Sequence, residues 1–413
     1  MMKQSMDKRV TESGLREEVA KLGDKYVSVL QELVCCPSAM HDVTNCIRLV
    51  KNKMVTLGLD VTQPVLRDDK TGISFPAVVG SLRGAGVGPK TFVVNAHVDT
   101  APVEDVSSWS SNPYKAVIAN GKMYGRGVLD DKAGIAMMLL LADAFSHFHK
   151  RLPATLLFEC VSGDESGGHG SKACLDAGKL CDAALVIDGA DPLSIIDAHL
   201  GQVWLNLYFA GKAAASCSAR RVHSPLLAAV SLLKGIEGQV EEWCCSNPSW
   251  EGIQKPYFVN AGRIHSGTWA GATPERCEMS VQIGFAPPVT VESVCLKVND
   301  MADKIAAETG LKFGCNVDLL CHDAFASRDN NLVEMLKTVI RDLRGGESPV
   351  VSHAVTGHCD LRYFRRNDGT PADACLYGPG GGGNPHACDE FYEISHFVPV
   401  AQNIATTILR WSS

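Results

Sequence analysis

Residues 91–100 read TFVVNAHVDT, and residues 122–132 read KMYGRGVLDDK. The apolar run that opens the first segment predicts a strand ending near His97 and Asp99. Because side chains alternate across a strand, His97 and Asp99 point to the same side. A carboxylate often fixes the tautomer of a metal-bound imidazole, and both groups are themselves ligands of Zn²⁺, Co²⁺ and Mn²⁺. The first segment therefore predicts either a metal site or an ordinary strand end.

The second segment ends in two adjacent carboxylates. Asp130 and Asp131 follow a Gly-Arg-Gly turn and precede a helix predicted over residues 132–148. Asp130 can therefore be a metal ligand or simply the N-cap of that helix. The choice depends on where the other acidic residues and histidines of the chain fall.

Length, charge and cysteine usage limit the class of protein. A chain of 413 residues exceeds the usual size of one core, so two domains are expected. The net charge of −7 argues against nucleic acid or an anionic membrane surface as the main partner. The sequence has no bilayer-length apolar run, its N-terminal segment lacks a signal-peptide core, and its 16 cysteines are scattered. We therefore expect a cytoplasmic protein with reduced thiols.

The order of predicted elements indicates two domains, one inserted in the other. Strands and helices alternate over residues 1–197 and again over 325–413, which predicts a doubly wound, mostly parallel sheet with helices on both faces. Over residues 198–324 the order becomes β-α-β-β-α-β, which is typical of a four-stranded antiparallel sheet with two helices on one face. The predicted fold class is therefore α/β, with a ferredoxin-like α+β domain inserted in the first domain.

Five potential metal ligands occupy corresponding places in the larger domain. His97, Glu165, Asp188 and His386 each follow the carboxyl end of a predicted strand, and Asp130 opens a helix. Open α/β sheets place their sites at this edge. Two histidines and three carboxylates, one of them able to bridge, are the ligand set of a dinuclear metal site. Together the five residues therefore favour metal binding over the ordinary structural interpretation of each motif alone.

Five motifs also carry a family resemblance. In order, NAHVDT, YGRGVLDDK, GDESGG, VIDG and HACDEF resemble the motifs of the co-catalytic zinc aminoacylase/carboxypeptidase family. That family includes acetylornithine deacetylase, succinyl-diaminopimelate desuccinylase and glutamate carboxypeptidase, and the resemblance covers nearly the whole chain. It implies that His97 and Asp188 hold one metal ion, Glu165 and His386 the other, and that Asp130 bridges them. It also implies Zn²⁺, with Co²⁺ or Mn²⁺ as alternatives, and an inserted domain that acts as a lid or dimerisation domain.

The same resemblance implies catalytic roles, with one departure. Asp99 would orient His97. The family usually has Asp-Glu-Glu before its glycines, where this chain has Gly-Asp-Glu, so Asp164 would be the general base and Glu165 the ligand. The other registration makes Glu165 the base and leaves Ser166 as a poor ligand. Asp164 would take a proton from the attacking water and pass it to the leaving amine.

The resemblance also concerns substrate binding. The carboxylate of the substrate is expected near Arg362, in the segment TGHCDLRYF, and near Asn260 of the inserted domain. A second departure is Ala215, which stands where the family commonly has a histidine that polarises the scissile carbonyl. His223 and His265 are the candidate replacements in the inserted domain.

The ligand pattern and the resemblance predict a metal-dependent hydrolase of amide bonds that acts on a small N-acyl amino acid carrying a carboxylate. The resemblance alone implies a homodimer through the inserted domain. A metallo-carboxypeptidase or dipeptidase is the alternative among enzymes. A metal-binding homologue with reduced or lost catalysis is the alternative of another class, because the base and the lid histidine are altered. An interaction protein without metal is the remaining alternative.

Overall fold

The computed structural model describes residues 10–85, 90–148, 152–327, 330–346 and 349–413. The helices of these ranges are α1 (Glu12–Val34), α2 (Thr44–Thr56), α3 (Lys132–Ser146), α4 (His169–Asp176), α5 (Pro225–Ser246), α6 (Val291–Thr309), α7 (Asn331–Arg344) and α8 (Phe397–Ser412). The strands are β1 (Asp60–Thr62), β2 (Val65–Arg67), β3 (Ser74–Pro76), β4 (Val78–Leu82), β5 (Thr91–His97), β6 (Val117–Ala119), β7 (Lys122–Tyr124), β8 (Thr155–Val161), β9 (Ala183–Val186), β10 (Ser194–His199), β11 (Gly201–Ala210), β12 (Ala214–Ala215), β13 (Ser249–Trp250), β14 (Ile253–Gln254), β15 (Phe258–Ser266), β16 (Ala272–Thr273), β17 (Arg276–Phe285), β18 (Lys312–His322), β19 (Phe325–Ala326), β20 (Val351–Val355), β21 (Asp373–Leu376), β22 (Gly382–Gly383) and β23 (Phe391–Glu393).

The first compact unit contains the predicted doubly wound sheet. It comprises the described residues within Met1–Asp197, Ser327–His353 and Cys359–Ser413. Its strands follow the order β1-β4-β8-β5-β9-β21-β10. The central strands β8, β5, β9 and β21 are parallel, whereas β4 and β10 pair antiparallel with their neighbours. The predicted α/β fold is therefore confirmed, with a mixed sheet that is parallel at its centre and antiparallel toward both edges.

Helix α3 forms the centre of this unit. Its sequence is apolar on every side, and each residue from its first to Phe145 is buried. It packs on β5 and against α1 and α8. Asp131 is its N-cap, since Asp131 Oδ1 accepts a hydrogen bond from the backbone N–H of Gly134 at 3.1 Å. The interpretation of Asp130 as the cap is therefore wrong, and its carboxylate is left available for another role.

The second compact unit is the inserted α+β domain. It comprises Ala198–Ala326 and Ala354–His358. Its sheet has the order β15-β17-β11-β18, and each pair is antiparallel. Alternate residues of β11 are buried in a core shared with α5 and α6, while the residues between them are partly exposed. This is the ferredoxin-like arrangement that the order of elements predicts, and its function as a lid stays a prediction.

Two further observations concern the cysteines and the helices. All 16 cysteines are free. None of the helices in the described ranges combines the length and the hydropathy that crossing a bilayer requires. The cytoplasmic location stays a prediction.

Candidate metal centre

The parallel strands bring four of the predicted ligands to one edge of the sheet. His97 is the last residue of β5, and Asp188 comes two residues after the end of β9. Glu165 lies in the 3₁₀ turn Asp164–Ser166 that follows β8, and His386 lies beyond β21, in the loop between β22 and β23. Because these strands are parallel neighbours, their carboxyl ends meet, and the loops that follow them converge.

Asp130 lies between the two histidines. Its Oδ1 is 3.0 Å from His97 Nε2, and its Oδ2 is 3.0 Å from His386 Nε2. His386 Nε2 is also 3.1 Å from Glu165 Oε2. One carboxylate therefore presents a separate oxygen to each histidine, as a carboxylate that bridges two ions would.

The side chains form two groups, each with one ligand atom per residue and all three atoms within 4.8 Å of one another. We call His97, Asp164 and Asp188 the inner group, and Asp130, Glu165 and His386 the outer group. Glu165 Oε1 is buried and has no hydrogen-bond partner among the described residues, and the buried His97 Nε2 has Asp130 Oδ1 beside it at 3.0 Å. Imidazole nitrogens and carboxylate oxygens are donors for Zn²⁺, Co²⁺ and Mn²⁺, so the residues present fit two divalent metal ions.

The concentration of buried charge changes the pKa values of the carboxyl groups. Burial and the charge of Asp130 raise the pKa of Asp188 to about 7. Burial and the neighbouring Asp360 raise the pKa of Asp164 well above its usual range. Hydrogen bonds to Asp130 and Glu165 raise the pKa of the His386 imidazole to about 10. The carboxylates thus crowd together at a cost that bound cations would offset.

Asp99 contacts both His97 and the turn after β8, and its role in orienting His97 stays a prediction. Its carboxylate Oδ1 is 3.6 Å from His97 Nδ1, whereas its main-chain oxygen lies 3.0 Å from the same nitrogen. The carboxylate accepts hydrogen bonds from the backbone N–H groups of Gly163 at 2.8 Å and Glu165 at 3.2 Å. Asp99 therefore also holds the turn that carries Asp164 and Glu165.

The two predicted substrate-binding residues lie in different units. Arg362 is 9% exposed, and its guanidinium donates to the main-chain oxygens of Cys359 and, at 2.6 Å, Gly167. Asn260 lies on β15 of the second unit, where it lines a cavity of about 460 Å³ together with Arg263. Substrate contact by either residue stays a prediction.

The residues that bear on the missing lid histidine also lie in the second unit. Ala215 pairs with Ala272 in the ribbon of β12 and β16. His265 lines a cavity with Ala272, whereas His223 immediately precedes Ser224, the N-cap of α5. His265 is therefore the candidate that shares a cavity with β16, the strand that pairs with Ala215.

Sequence reasoning missed Arg126 and Glu390, which form a buried ion pair beside the outer group. Both residues lie within quoted motifs, YGRGVLDDK and HACDEF. The signal in the sequence was a pair of opposite charges, one in each of two motifs that also contain a predicted metal ligand. Their burial and their mutual contact depend on the path of the loops, which periodicity does not describe.

The chain is similar to a family model, to other proteins in sequence and to solved structures in fold. A family model described as Peptidase family M20/M25/M40 matches residues 93–410. An N-formyl-4-amino-5-aminomethyl-2-methylpyrimidine deformylase of Halalkalibacterium halodurans is 24% identical over 96% of both chains. A succinyl-diaminopimelate desuccinylase of Paracoccus denitrificans is 25% identical over 81% of this chain and 85% of its own. The solved structure of the di-peptidase Dug1p from Saccharomyces cerevisiae has a TM-score of 0.77 at 16% identity and covers 97% of this chain and 98% of that chain.

Proposed function

Because the chain belongs to peptidase family M20/M25/M40, we propose that it is a dinuclear-metal amidohydrolase that cleaves the amide bond of a small N-acyl amino acid. The family resemblance predicted from the motifs is thereby confirmed, and the chain is a metal-dependent hydrolase of amide or peptide bonds. The observation that carries the proposal is the position of Asp130, which contacts a histidine of each ligand group at 3.0 Å.

We assign two divalent metal ions to this centre, with Zn²⁺ as the expected metal. His97 and Asp188 would hold one ion, Glu165 and His386 the other, and Asp130 both. When bound, the ions lower the pKa of water and stabilise negative charge on the attacked carbonyl oxygen.

Asp164 would act as the general base. It is 9% exposed, and its carboxylate lies among the ligand atoms of the inner group, at the place where an attacking water would be held. A carboxylate with a raised pKa accepts a proton from water more readily and can then donate it to the leaving amine. The same position also allows Asp164 to bind the inner ion.

The substrate class follows from the relatives only in general terms. The names of the two relatives describe removal of a formyl or a succinyl group, whereas the solved structure is named a di-peptidase. Deacylation of an N-acyl amino acid is therefore the first candidate, and dipeptide or carboxypeptide hydrolysis is the second. The substrate's carboxylate would be recognised by Arg362 and Asn260, and the protein would act as a homodimer.

The test is a hydrolysis panel with the Zn²⁺-loaded protein. It contains N-acetyl, N-formyl and N-succinyl amino acids, matched dipeptides and N-formyl amines without a carboxylate. We expect turnover of the N-acyl amino acids in preference to the dipeptides and the uncharged amines. Preferential cleavage of dipeptides would establish the second candidate. Binding of two ions without turnover of any member would support the homologue with lost catalysis, which Ala215 and Asp164 motivate.

A further inference from the structure

The loop that carries Asp130 is organised by a carboxylate that the proposed reaction does not use. Glu390 is fully buried. It accepts hydrogen bonds from the backbone N–H groups of Gly127 at 2.8 Å, Leu129 at 2.9 Å and Asp130 at 3.2 Å. Its fourth donor is Arg126 Nη1, at 2.8 Å. A single carboxylate thus accepts hydrogen bonds from three backbone N–H groups of one loop and from one guanidinium.

Arg126 connects this loop to the segment that carries His386. Its Nη2 donates to the main-chain oxygen of His386 at 3.1 Å, and its guanidinium lies over the ring of Trp109, with 5.1 Å to the ring centroid. Arg126 is 3% exposed, so the ion pair with Glu390 is removed from solvent and fixed in orientation. Asp130 and His386 belong to distant parts of the sequence, yet both are attached to this one ion pair.

The inner group is held by other contacts. The backbone N–H of His97 donates to Asp131 Oδ2 at 3.2 Å. Asp164 lies in the turn whose backbone donates to Asp99. The contacts of Arg126 and Glu390 described above reach the loops of Asp130 and His386, so their loss should affect the outer group first.

We propose that Glu390 and Arg126 are positioning residues that hold Asp130 and His386 at the spacing required to bind the outer metal ion. Interactions that orient metal ligands typically contribute about 10–100-fold to metal affinity. The inference rests on the dinuclear centre of the proposed function but on neither the substrate nor the chemistry. The two proposals can therefore fail separately. The variants can keep both metal affinities although the protein hydrolyses its substrate, and they can lose the outer ion although no substrate is hydrolysed.

Two variants test the proposal. Glu390→Gln keeps the shape of the side chain but places an amide group against backbone N–H donors, so hydrogen bonds of the Asp130 loop are lost. Arg126→Lys keeps the charge but removes the fork that reaches both Glu390 and the oxygen of His386. Asp143→Asn is the matched control, because Asp143 is a buried carboxylate that accepts hydrogen bonds from Tyr26 and Lys25 on another side of α3.

The measurement is the affinity of each Zn²⁺ ion by chelator competition, together with the metal content and the melting temperature of the metal-free protein. In both variants we expect the outer ion, for which both Asp130 and His386 are misplaced, to bind about 10–100-fold more weakly. The inner ion shares only Asp130, so its affinity should fall by less. Asp143→Asn should lower the melting temperature and leave both affinities unchanged.

Three outcomes would overturn the proposal. The first is a lower melting temperature of metal-free Glu390→Gln and Arg126→Lys with both affinities intact, which is the signature of a purely structural role. The second is an equal loss at both ions. The third is a wild-type protein that binds fewer than two ions, which would also refute the dinuclear centre. If Glu390→Gln does not fold, the milder Arg126→Lys decides the result alone.

Discussion

The inner and outer groups of the metal centre differ in exposure and in how the fold holds them. The side chain of His97, in the inner group, is 3% exposed, whereas that of His386, in the outer group, is 57% exposed. His97 ends a buried strand, and its position follows from the pairing of β5 with β8 and β9. His386 lies in a loop after β21 and has a φ of 60°. The sheet therefore holds the inner histidine, and loops hold the outer one.

This difference indicates different exchange properties for the two proposed ions. An ion in the outer group has a path to solvent beside the exposed imidazole of His386. An ion in the inner group is screened by buried side chains, and its release would require the site to open. The predictions that follow test whether the two groups act as one centre and whether their metals leave in this order.

The largest effect is expected from the residue that contacts both groups. Asp130→Asn removes the negative charge between His97 and His386 and keeps the size of the side chain. We expect kcat to fall by more than the roughly 10²–10³-fold that one oxyanion donor contributes, since both ions lose a ligand. The measurement is kcat together with metal content, and Asp176→Asn, at an exposed carboxylate of α4, is the control. Activity retained with a single bound ion would show that the two groups work independently.

Metal removal tests the order of release. With increasing chelator we expect the outer ion to leave first and the inner ion later. Removal of the ions should lower the free energy of unfolding by about 4 kcal/mol for each ion when the comparison is made at a metal concentration 1,000-fold above its Kd. The checks are metal content, hydrolysis and thermal unfolding along one titration, with Zn²⁺ added back at the end. Simultaneous release of both ions, or earlier release of the inner ion, would refute the contrast in exchange.

Glu159 provides a buried carboxylate outside both ligand groups. Asn95 Nδ2 donates to its Oε2 at 3.2 Å, and its Oε1 has no hydrogen-bond partner among the described residues. Burial raises the pKa of Glu159 from 4.5 to about 7. Since the folded-state pKa exceeds the unfolded one, the folded protein binds the proton more tightly. The contribution of Glu159 to the free energy of unfolding is therefore fully present below about pH 4.5 and is lost as the pH rises through about 7.

Glu159→Gln should remove this loss. We expect the variant to exceed the wild type in free energy of unfolding by up to roughly 3 kcal/mol at pH 8, and by much less at pH 5. Urea unfolding of the metal-saturated proteins at both pH values is the measurement. A difference that is the same at pH 5 and pH 8 would mean that Glu159 does not titrate in this interval. The result distinguishes Glu159, whose charge no metal ion would offset, from the carboxylates of the two ligand groups, whose charge the ions would offset.

The sequence predicted the metal centre best where a ligand lies close to the end of a regular element. His97 and Asp188 follow β5 and β9 directly, so the alternation of strands and helices was enough to place them together. Asp130 was predicted as a bridge, but which aspartate caps α3 depends on the local backbone, and Asp131 has that role. The predicted end of a strand indicates which edge of the sheet the following residues reach.

The remaining contacts depend on irregular segments. Glu390 is buried because three backbone N–H groups of a distant loop converge on it, and no periodic pattern encodes that convergence. The carboxylate of Asp99 likewise binds the turn after β8 as well as lying near His97. Strand β10 was also missed, because its six residues lie next to the longer and clearer pattern of β11.

The smallest predicted effect concerns the turn that serves both groups, since Asp164 belongs to the inner group and Glu165 to the outer. Gly168, just after this turn, has a φ of 74°, and a Cβ there would collide with Asp360 Oδ1 and approach Tyr363 Cε2 within 2.6 Å. Gly178 has a φ of 72° and no atom within 4 Å of its Cβ position, so it is a matched control.

Gly178→Ala should cost about 1–2 kcal/mol from the left-handed backbone alone and leave hydrolysis unchanged. Gly168→Ala should cost at least about 1 kcal/mol more, because neighbouring side chains must move. Because this substitution displaces the turn, it should weaken the binding of both metal ions to a similar extent. The variants of Arg126 and Glu390 should instead affect the outer ion most. The measurements are thermal unfolding and the two Zn²⁺ affinities. If Gly168→Ala weakened the outer ion alone, Asp164 would not belong to the inner ligand set, and its role would be confined to proton transfer.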